Sequence, residues 1–187
     1  NNNSYIVTVR ATDLADNTSD QTVTTNVLYN WAQIGDNING EAADDFSGSS
    51  VSLSADGSVV AISALGRDAR GYLRIYKNIN NTWTQIGEDI DGEALGDISG
   101  YSVSLSSDGS IIAIGAEGND GNGYNSGHVR IYNWTGSSWN QLGAGIIYTG
   151  SWDHEFGHSV SISSDGITIA VGAPEGDGNV NNSGFVR

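Results

Sequence analysis

Short runs of alternating apolar and polar residues recur along this chain, each closed by a glycine-bearing turn. In Ser50-Val-Ser-Leu-Ser54, Val51 and Leu53 alternate with serine, a period of two that predicts a strand with one small polar face. Asp56-Gly57 follows, and glycine's tolerance of positive φ predicts a hairpin there. Val59-Val-Ala-Ile-Ser-Ala64 is apolar or small nearly throughout, the pattern of a strand covered on both faces. Leu73-Arg-Ile-Tyr76 alternates again, and a Trp-x-Gln-Ile-Gly run supplies a fourth strand.

The whole unit repeats. Trp31-Ala-Gln-Ile-Gly35, Trp83-Thr-Gln-Ile-Gly87 and Trp139-Asn-Gln-Leu-Gly143 are spaced by 52 and 56 residues, and the turns at Asp56, Asp108 and Asp165 by 52 and 57. Residues 47–57 recur as 99–109 and 156–166, and residues 59–64 as 111–116 and 168–173. Leu73-Arg-Ile-Tyr76 returns as Val129-Arg-Ile-Tyr132, and Val186-Arg187 stands where a third copy would continue. The difference in length falls in one loop, short at residues 65–72 and longer in the later copies, as expected of a repeated supersecondary unit. Four antiparallel strands per repeat of this length predict an all-β fold of β-propeller blades, near 31–82, 83–138 and 139–187. Three blades are too few to close a ring. The once-per-blade tryptophan is expected to pack between blades.

Charge narrows the partners. With 22 acidic and 7 basic residues the formal net charge is −15, which repels phosphate backbones and argues against nucleic acid. Cations and neutral ligands such as glycans remain compatible. Cysteine is absent, so there is neither a disulfide framework nor thiolate chemistry. No run of 18 apolar residues is present, so no membrane insertion is expected in this segment, and no signal peptide is visible. The Asn-Asn-Asn start and the stop inside a repeat read as an internal segment of a longer protein.

At Phe156-Gly-His-Ser-Val-Ser-Ile-Ser163 and Gly172-Ala-Pro174 the chain resembles the FG-GAP repeat of integrin-type β-propellers. Copies one and two look like the same unit, with Ser-Gly for Phe-Gly and Ile-Ser-Ala or Ile-Gly-Ala for the ending. The resemblance extends over residues 31–187 and is similar to the divergent repeats of large bacterial surface and secreted proteins, whose members close rings of about seven blades. The integrin-type repeat implies a calcium loop of the form Asp-x-Asp-x-Asp-Gly between the first two strands. Only Ser54-Ala-Asp-Gly57, Ser106-Ser-Asp-Gly109 and Ser163-Ser-Asp-Gly166 stand there, and one carboxylate cannot supply the six to eight oxygens calcium takes. Calcium is therefore not expected at these turns. Residues 1–29 differ: Tyr5-Ile-Val-Thr-Val-Arg-Ala-Thr-Asp13, followed by Asn17-Thr-Ser-Asp-Gln-Thr-Val-Thr24, resembles the last hairpin of a bacterial cadherin-like domain, with Tyr5, Val7, Val9 and Ala11 on one face. The boundary falls near Leu28–Asn30.

Candidate chemistry is sparse. His154-Glu-Phe-Gly-His158 is a literal H-E-x-x-H, but a zinc protease needs it on a helix, and the repeat register puts it on the loop before a first strand. The long loops Asn119-Asp-Gly-Asn-Gly-Tyr-Asn125 and Gly176-Asp-Gly-Asn-Val-Asn-Asn182 align Asp120 with Asp177 and Asn122 with Asn179. Their oxygens could wrap a hard cation, calcium being the candidate, or simply make Asx turns in a solvated loop. Glu41, Glu93, Asp44, Asp45 and Asp97 gather before the first strands; paired carboxylates can cleave glycosides, but acids that recur with the repeat read as structural. The Asn-x-Ser/Thr triplets at Asn17, Asn80, Asn133 and Asn181 are expected by chance in so Asn- and Ser-rich a chain. No catalytic residue is assigned. The expected function is a non-enzymatic adhesion or binding module of a large secreted or cell-surface bacterial protein, presenting propeller loops to a glycan or protein. The alternatives are a structural spacer without a ligand and, last, a carbohydrate-active enzyme. Export by the type IX route fits the resemblance.

Overall fold

The computed structural model describes residues 3–12, 18–27, 32–66, 69–149, 154–178 and 180–187. The chain divides into two compact units, Asn1–Ile34 and Gly35–Arg187. In the first, β1 (Asn3–Thr12) and β2 (Thr18–Val27) form one antiparallel hairpin running from the pair Asn3↔Val27 to the pair Thr12↔Thr18. Trp31 and the segment 28–30 lie outside the described residues.

Among the described residues, the second unit forms three antiparallel sheets, one per repeat. The first has the order β3 (Ser47–Leu53), β4 (Val59–Ala64), β5 (Tyr72–Ile79), β6 (Thr82–Gln85), with β7 (Ile90–Asp91) also on β5. The second repeats it with β8 (Ser102–Leu105), β9 (Ile111–Ala116), β10 (His128–Trp134), β11 (Trp139–Gln141) and β12 (Ile146–Ile147) on β10. The third comprises β13 (Ser159–Ile162), β14 (Ile169–Ala173) and β15 (Phe185–Val186). These are propeller-like blades.

The fourth strand is not continuous. Thr82–Gln85 pairs with residues 76–79 of β5, and the Ile86 amide still donates to the Ile75 carbonyl. The chain then swings out through Gly87, at φ +77°, before Ile90 and Asp91 rejoin Leu73 and Tyr72. The bulge carries Asp89, whose carboxylate takes a bidentate pair of hydrogen bonds from Arg74 (2.9 and 2.7 Å) and a third from Gln85 Nε2 (2.7 Å). The Arg74 guanidinium holds Asp89 below the usual carboxylate range, with Gln85 assisting against the cost of burial.

Packing explains the serine alternation. The first strands of successive blades lie against one another. The Leu105 amide donates to Ser52 Oγ (2.9 Å), and the Ile162 amide donates to Ser104 Oγ (3.0 Å), the same bond one blade on. The amides of Ala55 and Ser107 likewise reach the carbonyls of Ser107 and Ser164. The polar face of each first strand is thus the seam. Its apolar residues are covered by the preceding blade: Val103 and Leu105 are 8% and 7% exposed among Val59, Ala61, Leu73 and Ile75, whereas the equivalent Val51 and Leu53 are 62% and 56% exposed. A second core gathers Phe156, Val129, Ala113, Val171 and Ala173 between the second and third blades.

Candidate functional site

The seam between the second and third blades brings together titratable groups from two separate stretches of chain. Glu117 follows β9; Glu155 and His158 lie on the loop that leads into β13. That loop is not helical. The Glu155 amide donates to the Asn125 carbonyl, Phe156 bridges Gly127, and the His158 amide closes a turn onto the Glu155 carbonyl. Glu155 takes φ +50° and Gly157 φ +99°, matching Phe46 and Gly48 in the first blade and Ile98 and Gly100 in the second. The H-E-x-x-H residues therefore sit on a repeated blade turn, and the two histidines diverge. His154 is buried edge-on against the Tyr148 ring at 5.0 Å, its Nδ1 without a hydrogen-bond partner among the described residues.

His158 faces the other way. Its Nδ1 is 2.6 Å from Glu117 Oε2 and 3.6 Å from Glu155 Oε2, and its ring lies 4.9 Å from that of Tyr101. One ligand atom from each of Glu117, Glu155 and His158 falls within 4.8 Å of the other two, a set that could hold a metal ion. Burial raises the pKa of Glu117, opposed by the hydrogen bond and charge of His158. The charge of Glu117 pushes the Tyr101 hydroxyl up, with burial and Glu155 adding to it.

Sequence reasoning passed over Glu117. The signal was present in the repeat alignment, where Leu65, Glu117 and Pro174 are equivalent, as are Phe46, Ile98 and Glu155, and Ser49, Tyr101 and His158. Only at this seam do all three positions carry charge or imidazole.

The glycine-rich loops use their acids locally. Asp120 Oδ1 accepts the Asn125 amide at 2.8 Å, and Asp177 Oδ1 accepts the Asn182 amide at 3.0 Å, so the two loops close in the same way. Asn125 and Asn182 take φ +45° and +50°, the conformation that asparagine tolerates best after glycine. Asn122 Nδ2 donates to the Tyr148 carbonyl (2.7 Å), and Asn179 lies outside the described residues.

The recurring acids brace the blade entrances. Asp45 Oδ2 accepts the amides of Glu41 and Ala42 and the Tyr72 hydroxyl; Asp97 Oδ2 accepts the Ala94 amide and Asn119 Nδ2. Glu41 pairs with Arg74 at 2.6 Å, and Glu93 approaches the equivalent Arg130 at 3.8 Å. Asp44 takes φ +66°. In the Ser-x-Asp-Gly turns, Asp56, Asp108 and Asp165 each accept the serine hydroxyl two residues back and the amide two residues on. Hydrogen bonds lower the pKa of all three, that of Asp56 to about 2.

Two grooves recur with the repeat. One is lined by Gly35, Asp36, Asn39, Tyr76, Thr82 and Trp83; its counterpart, about 360 Å³, by Gly87, Glu88, Asp91, Tyr132, Ser138 and Trp139 at equivalent positions.

A family model, the FG-GAP repeat, matches residues 150–186. The match takes in Phe156-Gly157 and Gly172-Ala173-Pro174, and Phe156 is the wholly buried centre of the second core. The internal repeat links the first two blades to that segment. No curated protein matches the chain. No helix among the described residues is long and apolar enough to cross a membrane.

Proposed function

We propose that this chain is a non-enzymatic extracellular binding module whose inter-blade grooves engage a glycan. The observation that carries the reading is the recurrence of one groove chemistry at two places: a tryptophan, a tyrosine, and carboxylates or amides on the stretch that begins at the motif glycine. Aromatic faces take the apolar side of a sugar ring, while carboxylates and amides take its hydroxyls. A groove repeated along a blade stack suits a repeating ligand, because linked weak contacts add through effective concentration. The net charge of −15 favours neutral over anionic glycans.

A glycan array probed with the 187-residue chain tests this. Binding to a neutral oligosaccharide, weakened at least about tenfold by E88Q with D91N and unchanged by D120N with D177N, is the expected result. An array without a hit, or binding lost only with the loop pair, rejects the groove.

The spacer reading draws on a different observation, the seam bonds from Ser52 to Leu105 and from Ser104 to Ile162, which stiffen the stack. It predicts a chain that binds no ligand on the same array. The cadherin-like assignment of residues 1–29, a bacterial surface location and export by the type IX route belong to the same proposal and rest on resemblance. Calcium in the glycine-rich loops is a further part of it, with Asp120, Asn122, Asp177 and Asn179 as the ligands. Calorimetric titration of the chain with calcium tests that part, and the absence of heat removes it.

A further inference from the structure

We propose that Glu117, Glu155 and His158 form a zinc site that clips the second blade to the third. The inference is independent of any glycan and rests on the seam alone.

Glu117 leaves the second blade's β9, while Glu155 and His158 sit on the turn entering the third blade, yet their ligand atoms fall within 4.8 Å of one another. The first seam has the same backbone: Ile98 and Ser99 donate to the carbonyls of Ala69 and Arg70, as Glu155 and Phe156 donate to those of Asn125 and Ser126. There the three equivalent side chains are Leu65, Ile98 and Tyr101, none of them charged. The fold therefore does not require polar groups here, and a structural ion pair would need only two of the three.

Donor chemistry selects the ion. Two carboxylates and an imidazole suit zinc, with metal–ligand distances near 2.0–2.2 Å and a fourth position filled by water. Ligand atoms around such an ion lie about 3.3–3.5 Å apart. His158 Nδ1 is 3.6 Å from Glu155 Oε2 and 2.6 Å from Glu117 Oε2, with the three ligand atoms all within 4.8 Å of one another, so binding needs the Glu117 pair to open slightly and shifts of about 1 Å at the carboxylates. On binding, the proton between Nδ1 and Glu117 leaves to solvent, the ring keeps or takes up one proton on Nε2 so that it stays neutral imidazole, and the Nδ1 lone pair goes to the metal. Calcium, which takes six to eight oxygens, is poorly served by this set. Half-exposure of His158 leaves a path for entry.

The test uses the 187-residue chain stripped with chelator and titrated with ZnCl2 by calorimetry, with Co²⁺ absorption as a second readout. Expected are one zinc per chain, a loss of affinity of about tenfold or more in H158Q and in E117Q, and no more than about a twofold change in H154Q, the nearby histidine that faces Tyr148. The visible bands of tetrahedral Co²⁺ should vanish in H158Q. E155Q, on the turn surface, decides the matter if either other variant fails to fold. No stoichiometric zinc, or unchanged binding in E155Q and H158Q, overturns the proposal. So does a loss confined to H154Q.

Discussion

Trp139 of the second blade donates its indole N–H to the carbonyl of Ile86 in the first, across 3.0 Å. Its ring also lies against Trp134, with centroids 5.3 Å apart, and over Gly87. Tryptophan and glycine of the recurring Trp-x-Gln-Ile-Gly motif are therefore two sides of one contact, Gly35 receiving Trp83 and Gly87 receiving Trp139. At Gly87 an added Cβ would stand 2.8 Å from Trp139 Cδ1 and 3.0 Å from Trp134 Cζ3.

Gly143 offers the comparison. It occupies the same motif position at φ +66°, but an added Cβ would meet nothing within 4 Å. Alanine at either site carries the left-handed penalty of about 1–2 kcal/mol. Only G87A adds overpacking, of about 1–3 kcal/mol. Urea unfolding should rank G87A below G143A by more than about 1 kcal/mol. Equal losses would show that the tryptophan does not hold the seam.

Much of this was legible in the sequence, because repetition averages out local ambiguity. The period announced the repeated sheets, the Ser-x-Asp-Gly turns and the packing of the tryptophan, but the first two sheets run past the bounds expected for their blades: β6 and β7 join the first sheet, and β11 and β12 the second. The fourth strand was read too simply: the Trp83–Gly87 run breaks after Gln85, since Gly87 turns to positive φ and Asp89 is drawn to Arg74. Glu117 was invisible for another reason. It meets His158 from 41 residues away, and no local pattern records that contact. Only divergence between copies at equivalent positions could have flagged it.

Ser106 tests the turns. Its hydroxyl, fully buried, donates to Asp108 Oδ1 (2.7 Å) and accepts the Ile111 amide (3.0 Å). Alanine would leave the Ile111 amide unpaired and take from Asp108 one of its hydrogen bonds, the Ser110 amide and hydroxyl still reaching it, at a cost of about 1–3 kcal/mol in chemical denaturation. The three turn aspartates have folded pKa values below their unfolded ones, so their contribution is present above the unfolded value, about 4, and is lost as pH falls toward the folded value, about 2 for Asp56. S106A should weaken the acid dependence in that window. A melting profile parallel to that of the parent from pH 5 to 2 would contradict the assignment.

His128 gives a second pH dependence, nearer neutrality. Burial lowers its pKa, with Arg130 assisting and Glu93 and Asp97 opposing. The neutral ring is the form that the fold accepts. Its stabilising contribution is present above the unfolded value of about 6.5 and declines as pH falls from there toward the folded pKa. The equivalent residues are Tyr72 and Phe185, so the position accepts an aromatic ring without titration. H128F should flatten the loss of Tm between pH 7 and 5 relative to the parent. A slope unchanged by H128F would place the titration elsewhere.

The seam that holds Glu117, Glu155 and His158 can be rewritten with the residues of the first seam, as E117L, E155I and H158Y together. Ile98 already occupies the position of Glu155 at φ +55°, so the backbone tolerates isoleucine there. Replacing partly buried charges by apolar groups of similar size is often neutral or stabilising by about 1–4 kcal/mol, and the exposure of Glu155 and His158 puts this case at the lower end. In chelator the triple variant should match or exceed the parent in urea. With saturating zinc the order should reverse, because only the parent gains stability from a ligand that binds the folded state. A triple variant less stable than the parent in chelator would mean that the charged triad already stabilises the metal-free seam as an ion pair. The zinc clip would then lose its physical motive.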